Sequence, residues 1–398
     1  MNAPRVEDDD MPTVPIPARR AVTNFDAASK RERIEAKPPA VRFARRALTG
    51  LFGLWVRAST KAARRLDWFP RVDPYVGYGT DDYSRLICRT VYAPEHSQYG
   101  PATRGIRGML AIPAARTQVR IRIDDVPLET VQVGASGEYD ALDERPEVDG
   151  EYAISDTSGY LDLMAEHELK PGIHRVSYRV NGRKPVTANL FTIPRSAKVG
   201  VISDVDDTIM VTQAPVFWKA AWNLLFLNPD KKASVAGMSV LFNRIADIFP
   251  DAPFFYLSTS PWNVEGAIRH FIINHGFPAG PLLLRDFDPR PKTFIPSGVQ
   301  HKLEFAEQLM ADFPDMRFIL IGDDGQKDPT TYATIARRYP GRVLAIGIRQ
   351  LSPKESPLGA VAGVTSTQPM PVTDVPVFTG TTGANLMKTM LPYLKTVM

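Results

Sequence analysis

Three carboxylates fall within four residues in Asp204-Val205-Asp206-Asp207-Thr208, directly after the apolar run Val199-Gly200-Val201-Ile202. Carboxylates this close repel one another unless a cation sits among them. Magnesium suits such a group, since it takes one or two carboxylates, keeps waters and shares its shell with substrate phosphate. A second acidic cluster follows another apolar run, and its Asp323, Asp324 and Asp328 can complete that shell. Transfer of a phosphoryl group also needs positive charge for the transferring oxygens. Lys302, at the start of the helical pattern HKLEFAEQLM, can supply it, and Ser258 to Ser260 add hydroxyls after a third run. Taken singly, each has a bland reading. The aspartates could be solvated turns, Ser258 a helix N-cap before PWNVEGAIRHFI, and Lys302 a surface lysine. Jointly, each at the end of a strand, they point to chemistry.

The elements that must position these residues are five short apolar runs: KVGVISDVDD, APFFYLSTS, PLLLRDF, MRFILIGDDG and RVLAIGI. Each is followed by a polar loop and a helical pattern. Near-continuous apolar strands alternating with helices indicate a parallel sheet covered on both faces, whose ligand chemistry lies at the carboxyl ends of the strands. Arg285 and Asp286 also fall at such an end. Upstream, Val119, Ile121, Ile123 and Val176, Tyr178, Val180 alternate at two-residue spacing, and Asn181-Gly182 is a hairpin signal. This region is expected to be an antiparallel β-sandwich without a titratable cluster, a packing or binding platform.

DxDxT after the first strand, a serine after the second, a lysine opening a later helix and an acidic cluster after the fourth together resemble the haloacid dehalogenase phosphatase superfamily. The strings VISDVDDTI, FFYLSTSPWN, PLLLRDF and ILIGDDGQKDP are similar to the actin-patch phosphatidate phosphatase family, relatives of the lipins. The resemblance covers residues 198 to 350 well and residues 1 to 70 hardly at all. It implies an α/β fold class: a haloacid dehalogenase-like Rossmannoid parallel sheet without a large cap, preceded by the sandwich. It also implies that Asp204 attacks phosphorus, Asp206 protonates the leaving alcohol and then activates water, and Thr208 supports the pair. Ser258 and Lys302 would hold phosphate oxygens. Magnesium would lie between Asp204, the Asp206 carbonyl and Asp323, with Asp324 or Asp328 positioning waters. Asp207 stands where lipins have glycine, and Lys292 competes with Lys302 for the phosphate role. His270, His275 and His301 read as structural or surface residues, and Trp218 and Trp222 as core.

Asp204 and Ser258 are 54 positions apart, and Ser258 and Lys302 are 44 apart, intervals filled by core elements. No separate cap fits, so the site is expected to be open to bulky or surface-bound substrates. Residues 41 to 66 carry seven bases, Arg42, Arg45, Arg46, Arg57, Lys61, Arg64 and Arg65, and no acid, against a net charge of +4 for the 398-residue chain. At 100° per residue, Val41, Leu48, Phe52, Trp55 and Leu66 share one side and Arg42, Arg46, Arg57 and Arg64 the other, the pattern of a helix lying on an anionic membrane surface. Docking on the core and a nucleic-acid patch are the alternatives. Gly50 and Gly53 cost about 1 kcal/mol each in helix propensity, so contact with a surface is expected to support it.

The single cysteine, Cys88, excludes disulfide scaffolds and thiolate metal centres. The acidic start without an apolar core argues against export, and no apolar window is long enough to span a bilayer. The expected organisation is a disordered tail over 1–40, a basic amphipathic helix over 41–70, the sandwich over 76–195 and the phosphatase domain over 198–398, with 351–374 a loop or partly disordered. The expected protein is a cytoplasmic magnesium-dependent phosphatase, peripheral on the inner face of the membrane. Its partner is an anionic phospholipid, phosphatidate, and not nucleic acid. The same chemistry on a soluble or protein-borne phosphomonoester and a membrane-associated binding role are the alternatives.

Overall fold

The computed structural model describes residues 16–20, 39–94, 112–130, 152–155, 159–211, 233–285, 298–325, 327–351 and 371–398. The chain divides into two compact units, one of Met1–Ala21, Pro70–Tyr92 and Pro113–Thr192, the other of Val22–Phe69, Ala93–Ile112 and Ile193–Met398.

The first unit is built on β1 (Ile16–Arg20), β2 (Phe69–Pro74), β3 (Gly77–Gly79), β4 (Tyr83–Ala93), β5 (Gln118–Ile123), β6 (Val126–Thr130), β7 (Tyr152–Ile154), β8 (Tyr160–Glu166), β9 (Gly172–Val180) and β10 (Val186–Thr192). Eight of them run in the order β4-β3-β10-β9-β5-β6-β1-β8, and a ladder from Tyr83↔Glu166 to Arg89↔Tyr160 joins β8 back to β4. The ring is therefore closed. It is also mixed, because β1 pairs parallel with β6 and β3 parallel with β10.

These pairings correct the expected fold class, a haloacid dehalogenase-like Rossmannoid sheet preceded by an antiparallel β-sandwich. The first unit is a closed eight-stranded mixed barrel, and the second unit holds a separate parallel sheet. The physical reason is that two-residue alternation marks an inward face equally well in a sandwich and in a barrel. What closes the ring is β1, which lies within the stretch expected to be a tail and seats Ala18 in the core. Eight strands leave an interior just wide enough for side chains to fill. Leu86, Cys88, Ile121, Leu163, Tyr178 and Leu190 fill it. The Asn181-Gly182 signal marks the turn from β9 to β10, with Gly182 at φ +73°.

Cys88 is fully buried, and burial pushes its thiol far above the ordinary cysteine range. The thiolate is the reactive form. The native protein is therefore expected to consume no thiol reagent, and the denatured protein one equivalent per chain. Rapid reaction under native conditions would contradict the closed barrel at β4.

In the second unit the five apolar runs form β11 (Val199–Asp204), β12 (Phe254–Pro261), β13 (Leu282–Arg285), β14 (Arg317–Asp323) and β15 (Val343–Arg349). With β16 (Val377–Gly380) they make a six-stranded sheet in the order β13-β12-β11-β14-β15-β16, parallel throughout. Among the described residues, five α-helices belong to the same region: α2 (Met238–Ile248), α3 (Glu265–Asn274), α4 (Gly298–Asp312), α5 (Asp328–Arg338) and α6 (Gly383–Thr396). Every residue of β11 and β15 is buried, as a sheet covered on both faces requires. All six strands point the same way, so the residues just after β11 and β14 meet at one end.

The basic segment is helical from Pro39 to Arg65, α1. Over its described half the inward side is not the expected one. Ala63 is fully buried, with Val56, Ser59 and Thr60 partly covered beside it, while Leu54 and Leu66 are 62% and 64% exposed. Arg57, Lys61 and Arg65 are exposed as well. Trp55 is half-buried with them, so the covered side mixes small and larger residues, while Leu54 and Leu66 face out.

Candidate active site

Asp204 ends β11 with its carboxylate buried, and Lys302 of α4 reaches it, Nζ to Oδ1, at 2.8 Å. The same ammonium bridges to the carboxylate of Asp328, the first residue of α5. Asp323 ends β14, fully buried, and its backbone N–H donates to Asp328 Oδ2 at 3.3 Å. Asp204, Asp323 and Asp328 each offer one oxygen within 4.8 Å of the others. Among the described groups, three carboxylates and one buried ammonium carry a net charge of two negatives when all are ionised. A divalent cation matches that deficit in charge and donor type, so the residues fit the metal implied by the resemblance.

The electrostatics carry the same message. Burial pushes Asp204 up to about 7, an effect opposed by Lys302 and reinforced by Asp328 and Asp206. Burial, then Asp328 and Asp204, hold Asp323 well above the carboxylate range. Burial alone would lower Lys302, but Asp204, Asp328 and Asp323 outweigh it and keep the ammonium charged.

A second constellation surrounds Asp206. Ser258 Oγ donates to Asp206 Oδ2 at 3.0 Å and accepts from the Ser260 N–H at 3.0 Å, while Ser260 Oγ lies 3.5 Å from the same oxygen. Ser258 therefore orients a carboxylate and does not cap α3, whose N-cap residue is Val264. Thr208 Oγ1 donates to Asp204 Oδ2 at 3.4 Å. Between the two aspartates and the threonine, Asp207 adopts φ +59°, the left-handed region that glycine enters freely and aspartate tolerates.

Asp204, Asp206, Thr208, Ser258, Lys302, Asp323 and Asp328 are thus brought together. Asp324 is not among the clustered carboxylates. Its Oδ1 accepts from the Leu351 N–H at 2.8 Å, so it fastens the end of β15. Lys292, Asp286, Trp218 and Trp222 lie outside the described residues, as do the side chains of Arg285 and His301. His270 of α3 bonds Asn274 at 2.7 Å, and His275, at the C-cap of α3, bonds the Phe271 carbonyl at 2.9 Å. The motif reading missed Arg349. Arg349 was detectable as a charged residue closing an apolar strand, at the same sheet end as the aspartates.

Gly322 precedes Asp323 because nothing larger fits. A Cβ there would collide with Asp328 Oδ2 and come within 2.8 Å of Tyr332. Gly322→Ala is expected to displace Asp328 and weaken divalent-cation binding by about tenfold or more in a titration calorimeter. Unchanged affinity would remove Asp328 from the ligand set.

Residues 199–350 match the family described as phosphatidate phosphatase APP1, catalytic domain. Over 203 residues the chain is 31% identical to phosphatidate phosphatase APP1 of Saccharomyces cerevisiae, covering 50% of this chain and 34% of that one. It is 27% identical over 154 residues to an uncharacterized protein of Schizosaccharomyces pombe, covering 38% of this chain and 25% of that one. The chain thus spans about a third of the length of the first relative and a quarter of the second. Among solved structures, a class C acid phosphatase from Bacillus anthracis with tungstate bound shows 15% identity over 37% of this chain and 65% of that one. Its TM-score of 0.26 is too low to carry an argument.

Proposed function

We propose, from the match of residues 199–350 to the phosphatidate phosphatase APP1 catalytic-domain family, that this chain is a magnesium-dependent phosphatidate phosphatase, releasing diacylglycerol and inorganic phosphate. The observation that carries the reading is Lys302 bridging two of three clustered carboxylates beside a separately hydrogen-bonded Asp206. Asp204 Oδ attacks phosphorus, the P–O bond to the glycerol oxygen breaks, and that oxygen takes the proton carried by Asp206. Asp206, now a carboxylate held by Ser258, removes a proton from water, which attacks the aspartyl-phosphate and frees Asp204. Lys302 draws the phosphate oxygens toward Asp204. Thr208 holds the second Asp204 oxygen so that the attacking one keeps its direction. Asp204, Asp323 and Asp328 would hold the magnesium ion, which when bound offsets the negative charge of the phosphoryl group.

The lipid assignment rests on the family and on α1. Its exposed Leu54, Arg57, Lys61, Arg65 and Leu66 combine apolar and basic character on the surface. Each base near an anionic lipid surface contributes roughly 1 kcal/mol of attraction. No helix among the described residues is long and apolar enough to cross a membrane. Removing residues 1–70 would also delete β1 from the barrel, so the test is a surface variant, Arg57→Glu/Lys61→Glu/Arg65→Glu. It should lose activity on phosphatidate in anionic vesicles and keep it on a soluble aryl phosphate. Equal activity on both substrates relative to the unaltered chain would favour a soluble phosphomonoester.

A further inference from the structure

We infer that Arg349 is a positioning residue for the reaction, a lock that fixes the Asp204–Thr208 turn against the acidic end of β14. The inference rests on the reading of Asp204 and Asp206 as the catalytic pair. Arg349 ends β15 in register with Asp323 and is only 4% exposed. Its backbone carbonyl accepts from the Asp324 N–H at 3.0 Å, which ties it to the candidate metal-binding loop. Its side chain reaches the Asp204–Thr208 turn. Nη1 donates to the Asp207 carbonyl at 2.6 Å, and Nε donates to the Thr381 carbonyl at 3.4 Å.

Asp207 is the residue at positive φ, and its own N–H closes the turn on the Met210 carbonyl at 2.8 Å. A left-handed non-glycine residue persists where its surroundings hold it. The guanidinium is that hold, a planar donor able to reach two carbonyls at once. One residue therefore sets the spacing between Asp323, reached through Arg349's backbone, and Asp206, which adjoins the residue its side chain holds. A displacement of about 1 Å between reacting groups can cost on the order of 100-fold in rate. Arg349 touches neither substrate nor metal in this account, so it acts through the turn.

The test compares Arg349→Met with the unaltered protein in two measurements. The first is amide hydrogen exchange over residues 204–211 and over 317–323. The second is kcat and KM for a soluble aryl phosphate with Mg2+. Expected are faster exchange over 204–211 with no change over 317–323, and kcat lower by about 10- to 100-fold with KM within about threefold. Unchanged exchange over the turn overturns the lock, whatever the activity does. Faster exchange with unchanged kcat overturns the catalytic consequence. If Arg349→Met does not fold, Arg349→Lys replaces it in both measurements, since a single ammonium cannot span the two carbonyls. An unaltered protein with no phosphatase activity sinks the proposed function, while the exchange result still decides the lock.

Discussion

Asp204→Asn should yield a folded protein whose phosphatase activity is lower by about 10³-fold or more. The amide has the shape of the carboxylate but cannot attack phosphorus. Folding should survive for an electrostatic reason. The site holds three buried carboxylates against one ammonium. Neutralising one of them lowers the repulsion among the rest, and Lys302 keeps Asp328 as its partner. The Asn oxygen can still accept from Lys302, and Thr208 can rotate its hydroxyl to accept from the new NH2. The melting temperature without metal should therefore match or exceed that of the unaltered protein. Retained turnover would rule out Asp204 as nucleophile, and loss of folded structure would show that this carboxylate holds the sheet end together.

The second large effect has the opposite sign in stability. Lys302 is buried at 3% exposure between Asp204 and Asp328. Replacing it by methionine keeps most of the side-chain volume and removes the only cation the described contacts place among these carboxylates. Taking one partner from a buried ion pair typically costs about 3–5 kcal/mol, because the remaining charge is left without compensation. Lys302→Met should therefore unfold at clearly lower urea and lose activity. Magnesium should restore more stability to this variant than to the unaltered protein, since the ion then supplies the missing charge. A variant as stable as the original in chelator would mean that the carboxylates are already neutral without Lys302.

How much of this was legible depended on the range of the signal. The Asp204 turn could be read because an apolar run ending in carboxylates has one meaning in a parallel sheet, the strand end. Lys302 and Asp328 stood out through their neighbours, HKLEFAEQLM and the acidic string. Within that string the division between Asp328, which joins the cluster, and Asp324, which binds the Leu351 N–H, was not readable. Four residues of local turn geometry decide it. The barrel was hidden for a longer-range reason. β1 is the short, proline-bearing segment IPARR, and it makes sense as a strand only once β6 and β8 flank it, more than 100 residues away. Arg349 could be seen as a charged strand end, but its contact with Asp207 could not, since it spans 142 positions.

The central claim is that phosphate passes through Asp204. The most direct measurement mixes the protein with phosphatidate labelled in its phosphate, presented in vesicles with Mg2+, then quenches in acid within one turnover and maps the label by peptide. The account predicts acid-stable label on the peptide containing Asp204, absent from Asp204→Asn and from samples in chelator. Phosphate release with no label on that peptide, or with label on another residue, would contradict it.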